Sequence, residues 1–244
     1  MYQTFIYQPI LNTLIWLYSA LGNNLGFAII VLTLIIRTVL IPFTLPQMKS
    51  AKKMAALKPE LDALKKKHGS DSKLLQQKTL ELYQKNNINP AAGCLPFIAQ
   101  FIVLIALYKV FMNTLGGNGI GDINTFFFGL DLKAKDPSHV LPILAGLLQF
   151  IMSVTLLPAI ENEPSKREGT KEQKEDVAEM AQSMQQQMVF MMPIMTVIFS
   201  LQFPSGLALY WVITTAFSLV QQLIVSGPGG LVPYWVKINK MFNK

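Results

Sequence analysis

Five long apolar runs, at about 25–45, 91–112, 138–160, 188–203 and 205–225, constrain this chain more than any other feature. Each approaches the roughly 20 residues that an α-helix needs to cross the hydrocarbon layer of a bilayer. Inside lipid the backbone must satisfy its own hydrogen bonds, so such runs become helices. Charged residues make up 14% of the 244, against roughly 25% in an average soluble domain, and an ordinary soluble globule is excluded. The expected fold class is an all-α integral membrane protein with five transmembrane helices. Phe203-Pro204-Ser205-Gly206 separates the short fourth run from the fifth. Pro204 disfavours helix at the residue before it and Gly206 permits a tight turn, so these two runs pair as a short hairpin in a locally thinned bilayer.

Ahead of the first run, within segment 1–24, residues 1–21 are apolar but interrupted by Gln8, Pro9, Asn12 and Thr13, and they carry Tyr2, Tyr7, Trp16 and Tyr18. Aromatic residues of this kind favour the headgroup region, which predicts an interfacial helix on the outer side. No Lys or Arg precedes the apolar stretch, which argues against a cleavable signal peptide.

Charge sets the orientation, because Lys and Arg concentrate on the cytoplasmic side. Segment 46–89 holds ten lysines, segment 161–187 holds Lys166, Arg167, Lys171 and Lys174, and the tail 226–244 holds Lys237, Lys240 and Lys244. The alternate side has only Lys109, Lys133 and Lys135. The expectation is a multi-pass protein of the cell (inner) membrane, with its N-terminus outside and its C-terminus in the cytoplasm. A net charge of +7 would suggest nucleic acid as the partner of a soluble protein, but this placement does not, and no specific nucleic-acid binding is expected. Cys94 is the single cysteine and lies far in sequence from His68 and His139, so no metal spacing, cofactor or redox chemistry is indicated.

Within 46–89, Met54, Leu57, Leu61 and Leu64 recur at helical spacing. His68-Gly69-Ser70-Asp71 breaks the pattern, Asp71 can cap a second helix to about Asn86, and Leu75, Leu82 and Tyr83 face the first stripe. The segment reads as a cytoplasmic helical hairpin, with Pro59-Glu60 marking a kink or fresh helix start. Its lysines suit solvation, anionic lipid or a docking surface. Segment 161–187, with seven acids and four bases, reads as a cytoplasmic loop or weak helix, and Gly117–Gly121 as a flexible loop.

Arg37 stands well inside the first run, where a charge costs roughly 2.5–3.5 kcal/mol on insertion scales. All 14 acidic residues lie outside the five runs, so no intramembrane carboxylate neutralises it. Either Arg37 snorkels roughly 12 Å to the cytoplasmic surface, or it faces a wet cavity or a partner molecule. Other runs carry polar residues on one helical face: Thr33 with Arg37, Gln100 with Tyr108, Gln149 with Ser153, Thr196 with Ser200, and Trp211, Thr215, Ser218 and Gln222. Turned toward one another these stripes would form a polar interior; taken singly, Ser and Thr supply interhelical hydrogen bonds of about 0.6 kcal/mol. A small polytopic transporter or channel with an anion-attracting arginine is the alternative, although no repeated halves are visible. No Ser/His or paired-Asp set lies in the runs, so no enzyme is expected.

Several blocks occur together: Arg37 followed by Pro42 and Met48-Lys49; Leu82-Tyr83; Asn89-Pro90-Ala91-Ala92-Gly93-Cys94-Leu95-Pro96 with Gln100 and Leu107-Tyr108; and Phe203–Leu207 with Leu209-Tyr210-Trp211. In this order they resemble the YidC/Oxa/Alb family of membrane protein insertases, across nearly the whole chain from about residue 5. The form resembled is the short one, without the large periplasmic domain and extra first helix of some bacterial members. The resemblance implies a core at 25–225 enclosing a hydrophilic groove, open to cytoplasm and lipid and closed outside, that inserts and folds newly made membrane proteins. It implies groove residues Arg37, Thr33, Gln100, Gln149, Tyr210 and Trp211. Implied partners are nascent membrane proteins, membrane lipids, the Sec translocon, the ribosome and the signal-recognition targeting machinery. Two departures are visible: Phe101 stands where members often have a second proline, and the short tail argues against a strong ribosome-binding extension.

Overall fold

A computed structural model describes residues 3–69, 71–88, 95–115, 123–156 and 177–228. Among them the chain is almost wholly helical: after a π-helical turn at Gln3–Tyr7 come α1 (Gln8–Ala20), α2 (Leu25–Ala56), α3 (Lys58–His68), α4 (Ser72–Lys85), α5 (Leu95–Leu115), α6 (Val140–Leu156), α7 (Val177–Gln202) and α8 (Ser205–Ser226). Leu25–Met54 and Ser205–Ser226 are long and apolar enough to cross a membrane, and Gln100–Met112, Val140–Thr155 and Phe190–Gln202 form shorter apolar stretches. Helix α2 continues through Pro42 and Pro46 to Ala56, beyond the expected end of the first run. Helix α7 starts at Val177, earlier than expected, and contains Pro193. Cys94, Gly117–Gly121, the 161–176 portion of the predicted loop and the tail from 229 lie outside the described residues.

The residues form two compact units, Met1–Thr44 with Cys94–Gln149 and Pro193–Gln221, and Leu45–Gly93 with Phe150–Met192 and Gln222–Lys244. The first unit holds the main core: Leu14 and Leu17 of α1, Leu25, Ala28, Ile29 and Leu32 of α2, Leu107, Val110 and Phe111 of α5, Leu132, and Leu207, Leu209 and Tyr210 of α8. The spacings 25/28/29/32 and 107/110/111 are those of one helical face. Pro9 sits in the first turn of α1, where a missing N–H is harmless, and Asn24 caps α2 by accepting from Phe27 N at 3.1 Å. Gly146 permits close approach of α6 and α7, because a Cβ there would lie 2.3 Å from Val197 Cγ2.

Between α5 and α6 the chain builds a feature that apolar periodicity did not predict, a departure from a purely α fold. Strands β1 (Phe126–Phe127) and β2 (Leu130–Asp131) pair antiparallel, with Phe126 opposite Asp131 and Phe127 opposite Leu130. Phe128 and Gly129 close the turn with φ of 48° and 79°, as a type I′ hairpin requires. The following residues serve the helix starts, whose first N–H groups have no intrahelical acceptor. Ala134 O accepts from Ser205 N and Ser205 Oγ, both at 2.7 Å, and Leu132 O accepts from Gly206 N at 3.0 Å. The Asp136 carboxylate accepts from Leu141 N and Ser138 N at 2.8 Å each and from Ser138 Oγ at 2.6 Å. Burial opposes the charge on Asp136, yet the hydrogen bonds from Ser138 and Leu141 outweigh it and hold the carboxyl below its ordinary range.

In the second unit, α3 and α4 contact one another. Pro59 lies in the first turn of α3, so the sequence signal marked a fresh helix start. Asp71 caps α4, accepting from Leu74 N at 3.0 Å, as its position before the second apolar stripe predicted. Leu57, Leu75 and Ile88 are buried. Lys78 and Glu81 pair at 2.7 Å on the exposed side of α4.

Candidate functional site

Below the core residues of α2, the same helix carries its polar pair. Thr33 is buried at 1% exposure and donates to Ile29 O at 2.6 Å, so its hydroxyl is satisfied within the helix. Arg37, one turn further on, is half-buried. Its Nη2 donates to Gln100 Oε1 of α5 at 2.7 Å, and Gln100 Nε2 donates to Tyr210 OH of α8 at 2.9 Å. The relay is chemically directed: a guanidinium only donates, so the amide oxygen must face it, which leaves the amide N–H for the phenol oxygen. Tyr210 is 2% exposed and part of the core, which fixes the far end of the relay.

Among the described residues this is the single hydrogen bond reaching the guanidinium, and no ion pair to Arg37 is found among them. A guanidinium has five N–H donors, and most of them are unused by the described residues. A hydrogen bond to a charged group contributes about 1.5–3 kcal/mol, similar to the roughly 2.5–3.5 kcal/mol cost of the charge at depth. Gln100 therefore offsets much of that cost while leaving the positive charge intact. The sequence excluded a carboxylate partner but offered no sign that a neutral amide would take its place. Gln100 and Arg37 are 63 residues apart, and only folding brings them together.

Three of the six expected residues, Arg37, Gln100 and Tyr210, are thus joined in one chain of contacts. Thr33 shares the helix but bonds to its own backbone. Gln149 and Trp211 are half-buried, and no hydrogen bond connects either to the relay among the described residues. Of the polar residues expected on one face of α8, Thr215, Ser218 and Gln222 are buried and Trp211 is half-buried, and Thr196 and Ser200 are buried on α7. Sequence reasoning missed Gln221, whose Nε2 donates to Thr44 Oγ1 at 2.8 Å and links α8 to α2. Helical spacing selected its neighbour Gln222 instead, and nothing in the sequence marks Gln221 as a partner of Thr44.

The sequence model of the 60Kd inner membrane protein family matches residues 16–229, a span that contains Arg37, Gln100, the 123–139 loop and Tyr210. This chain belongs to that family. Curated relatives are similar to the chain over most of its own length. The chain is 33% identical over 228 residues to the membrane protein insertase MisCA of Bacillus subtilis, covering 92% of this chain and 78% of that protein. It is 36% identical over 229 residues to the membrane protein insertase YidC 2 of Bacillus anthracis, covering 92% and 80%. Against the membrane protein insertase YidC of Pseudoalteromonas translucida the identity is 38% over 221 residues, 91% of this chain but 36% of that longer protein. These names describe insertases and not enzymes, in agreement with the expected non-enzymatic activity.

Proposed function

We propose that this protein is a membrane protein insertase that helps newly made membrane proteins enter and fold in the inner membrane, alone or with the Sec translocon. The observation that carries the reading is the Arg37 guanidinium: it sits in an apolar helix, is oriented by a neutral amide, and meets no carboxylate among the described residues. A protein built only for stability gains little from such a charge. A protein that must attract an anionic segment transiently gains from it, because a carboxylate partner built into the chain would occupy the site permanently.

In this proposal five helices cross the membrane with the N-terminus outside and the C-terminus in the cytoplasm, and 1–24 forms the outer interfacial helix. The core at 25–225 includes the 46–89 cytoplasmic hairpin and the 161–187 cytoplasmic loop, and 226–244 is the tail. Thr33, Arg37, Gln100, Gln149, Tyr210 and Trp211 belong to a hydrophilic groove open to the cytoplasm. A substrate's short outward tail faces a desolvation barrier in crossing the bilayer, and a wet groove shortens that path. Arg37 attracts the tail's carboxylates, while Gln100 and Tyr210 hold the guanidinium in position. The apolar segment then moves along α2 and α8 into lipid, where burial at about 25 cal/mol per Å² drives release. That step is downhill and needs no nucleotide. The lysine-rich 46–89 segment supplies contacts for anionic lipid, the ribosome or the targeting machinery.

An insertion assay in proteoliposomes tests the proposal, using a single-span substrate whose outward tail carries either Asp or Asn. Arg37→Ala lowers insertion of the Asp tail several-fold and spares the Asn tail, and Arg37→Lys retains part of the difference. Wild-type protein that inserts neither tail above empty liposomes overturns the insertase reading.

A further inference from the structure

The 126–131 ribbon is tied down firmly for so short an element. Phe127 packs on α2 where Gly26 leaves room, since a Cβ at Gly26 would lie 2.2 Å from the ring. Phe127 also meets Phe27 edge-on, with centroids 5.3 Å apart. Asn124 N donates to Tyr18 OH of α1 at 2.8 Å, and Thr125 Oγ1 donates to Asp131 Oδ1 at 2.7 Å. Strand alternation on this fixed base turns Phe127 inward and leaves Phe126 and Phe128 65% and 84% exposed.

At the tip the Phe128 ring leans edge-on against Phe127, with centroids 4.6 Å apart, and this one contact leaves most of the ring uncovered. Phe128 holds φ of +48°, a left-handed conformation that a bulky residue rarely adopts and that Gly or Asn occupies at lower cost. Type I′ turns are dominated by those residues for this reason. Here a strained position carries a large apolar ring and points it outward, beside a second exposed ring. Lys133 and Lys135, both exposed, follow within the same loop. Two aromatics and two ammonium groups on one rigid projection match the chemistry of a bilayer boundary, where rings enter between the headgroups and cations meet phosphates.

We propose that the Phe126/Phe128 tip is an outer-leaflet lipid anchor, its rings seated at the headgroup–acyl boundary and Lys133 and Lys135 contacting lipid phosphates. The inference rests on the five-helix arrangement proposed above, which puts the segment between α5 and α6 at the outer membrane surface. Leu132 and Ala134, just beyond the ribbon, supply the carbonyls that receive the first N–H groups of α8. The anchor therefore sets the depth of that helix start as well as its own.

Nitroxide depth measurements on the full chain test this. A single label is placed at Phe126→Cys in a Cys94→Ser background, in liposomes of phosphatidylethanolamine and phosphatidylglycerol. Collision with oxygen is compared with collision with a water-soluble nickel chelate, using Lys73→Cys on α4 as the aqueous reference and Val39→Cys on α2 as the lipid reference. The expected oxygen-to-nickel ratio at 126 is at least threefold above that at 73, and Phe128→Gly, which relieves the backbone strain, lowers it by half or more. A ratio equal to that at position 73, or one unchanged by Phe128→Gly, overturns the anchor. A ratio that falls as the protein is diluted in lipid indicates contact with a second copy and also overturns it. The readout is depth, so its failure leaves the insertion assay to decide the insertase reading separately.

Discussion

The loop and helix ends around 123–139 and the paired helices α3 and α4 solve the same problem, holding polar chain against neighbours, by opposite means. In the first region, backbone carbonyls and the buried Asp136 carboxylate satisfy helix N-termini, and glycines let rings lie directly on backbone. In the second, a few buried side chains, one Asp cap and an exposed ion pair do the work. The difference teaches where motion is cheap. Opening the first region strands buried donors and acceptors, whereas opening the second releases groups that water can satisfy.

The contrast is most exposed to failure at Gly206. A Cβ there would lie 2.3 Å from Phe111 Cε1 and 3.2 Å from Leu132 O, and Phe111 is itself buried. Gly206→Val is expected to destabilise the protein by about 1–3 kcal/mol through overpacking, read as a lower thermal midpoint in detergent. An unchanged midpoint would mean that the region yields easily and the contrast is false.

Asp136 sharpens the comparison through pH. Its carboxyl titrates lower in the folded protein than in the unfolded chain, so its charged form stabilises the fold above the unfolded value of about 3.9. That contribution disappears as pH falls through the lower folded value. Asp136→Asn, which removes the charge but keeps an acceptor, is expected to cost about 0.3–1 kcal/mol above pH 5, with the gap to wild type closing as pH falls below about 4. Unfolding curves at several pH values check this, and a gap that persists at low pH contradicts it.

The smallest effect is expected at the Lys78–Glu81 pair, which is exposed on both sides and screened by water and salt. Lys78→Ala should leave the thermal midpoint unchanged and alter at most the hydrogen exchange of α4. A global loss of stability would place the second region on the same footing as the first.

Apolar run length and punctuation made most of the helices legible in advance: the Asp71 cap and the Pro59 restart stand where local chemistry put them, and the helices break at Phe203-Pro204, although Gly206, expected in the turn, lies inside α8. Those features depend on neighbours in the chain, which a sequence displays directly. The β-ribbon was not legible, because Phe126-Phe127-Phe128 has no alternation of polar and apolar residues, and its turn seats a phenylalanine where glycine or asparagine is usual. The Gln221–Thr44 bond was hidden for another reason, since it joins residues 177 positions apart.

Residue types and their order are enough to show that a cation stands in an apolar run and that no apolar run carries an acid. How that cation is held emerges only on folding: Gln100 turns its amide oxygen to Arg37, and Tyr210, buried in the core, accepts from the other end of the amide. Hydrogen bonds between distant segments depend on distance and direction within a packed fold, and neither can be read from spacing along the chain.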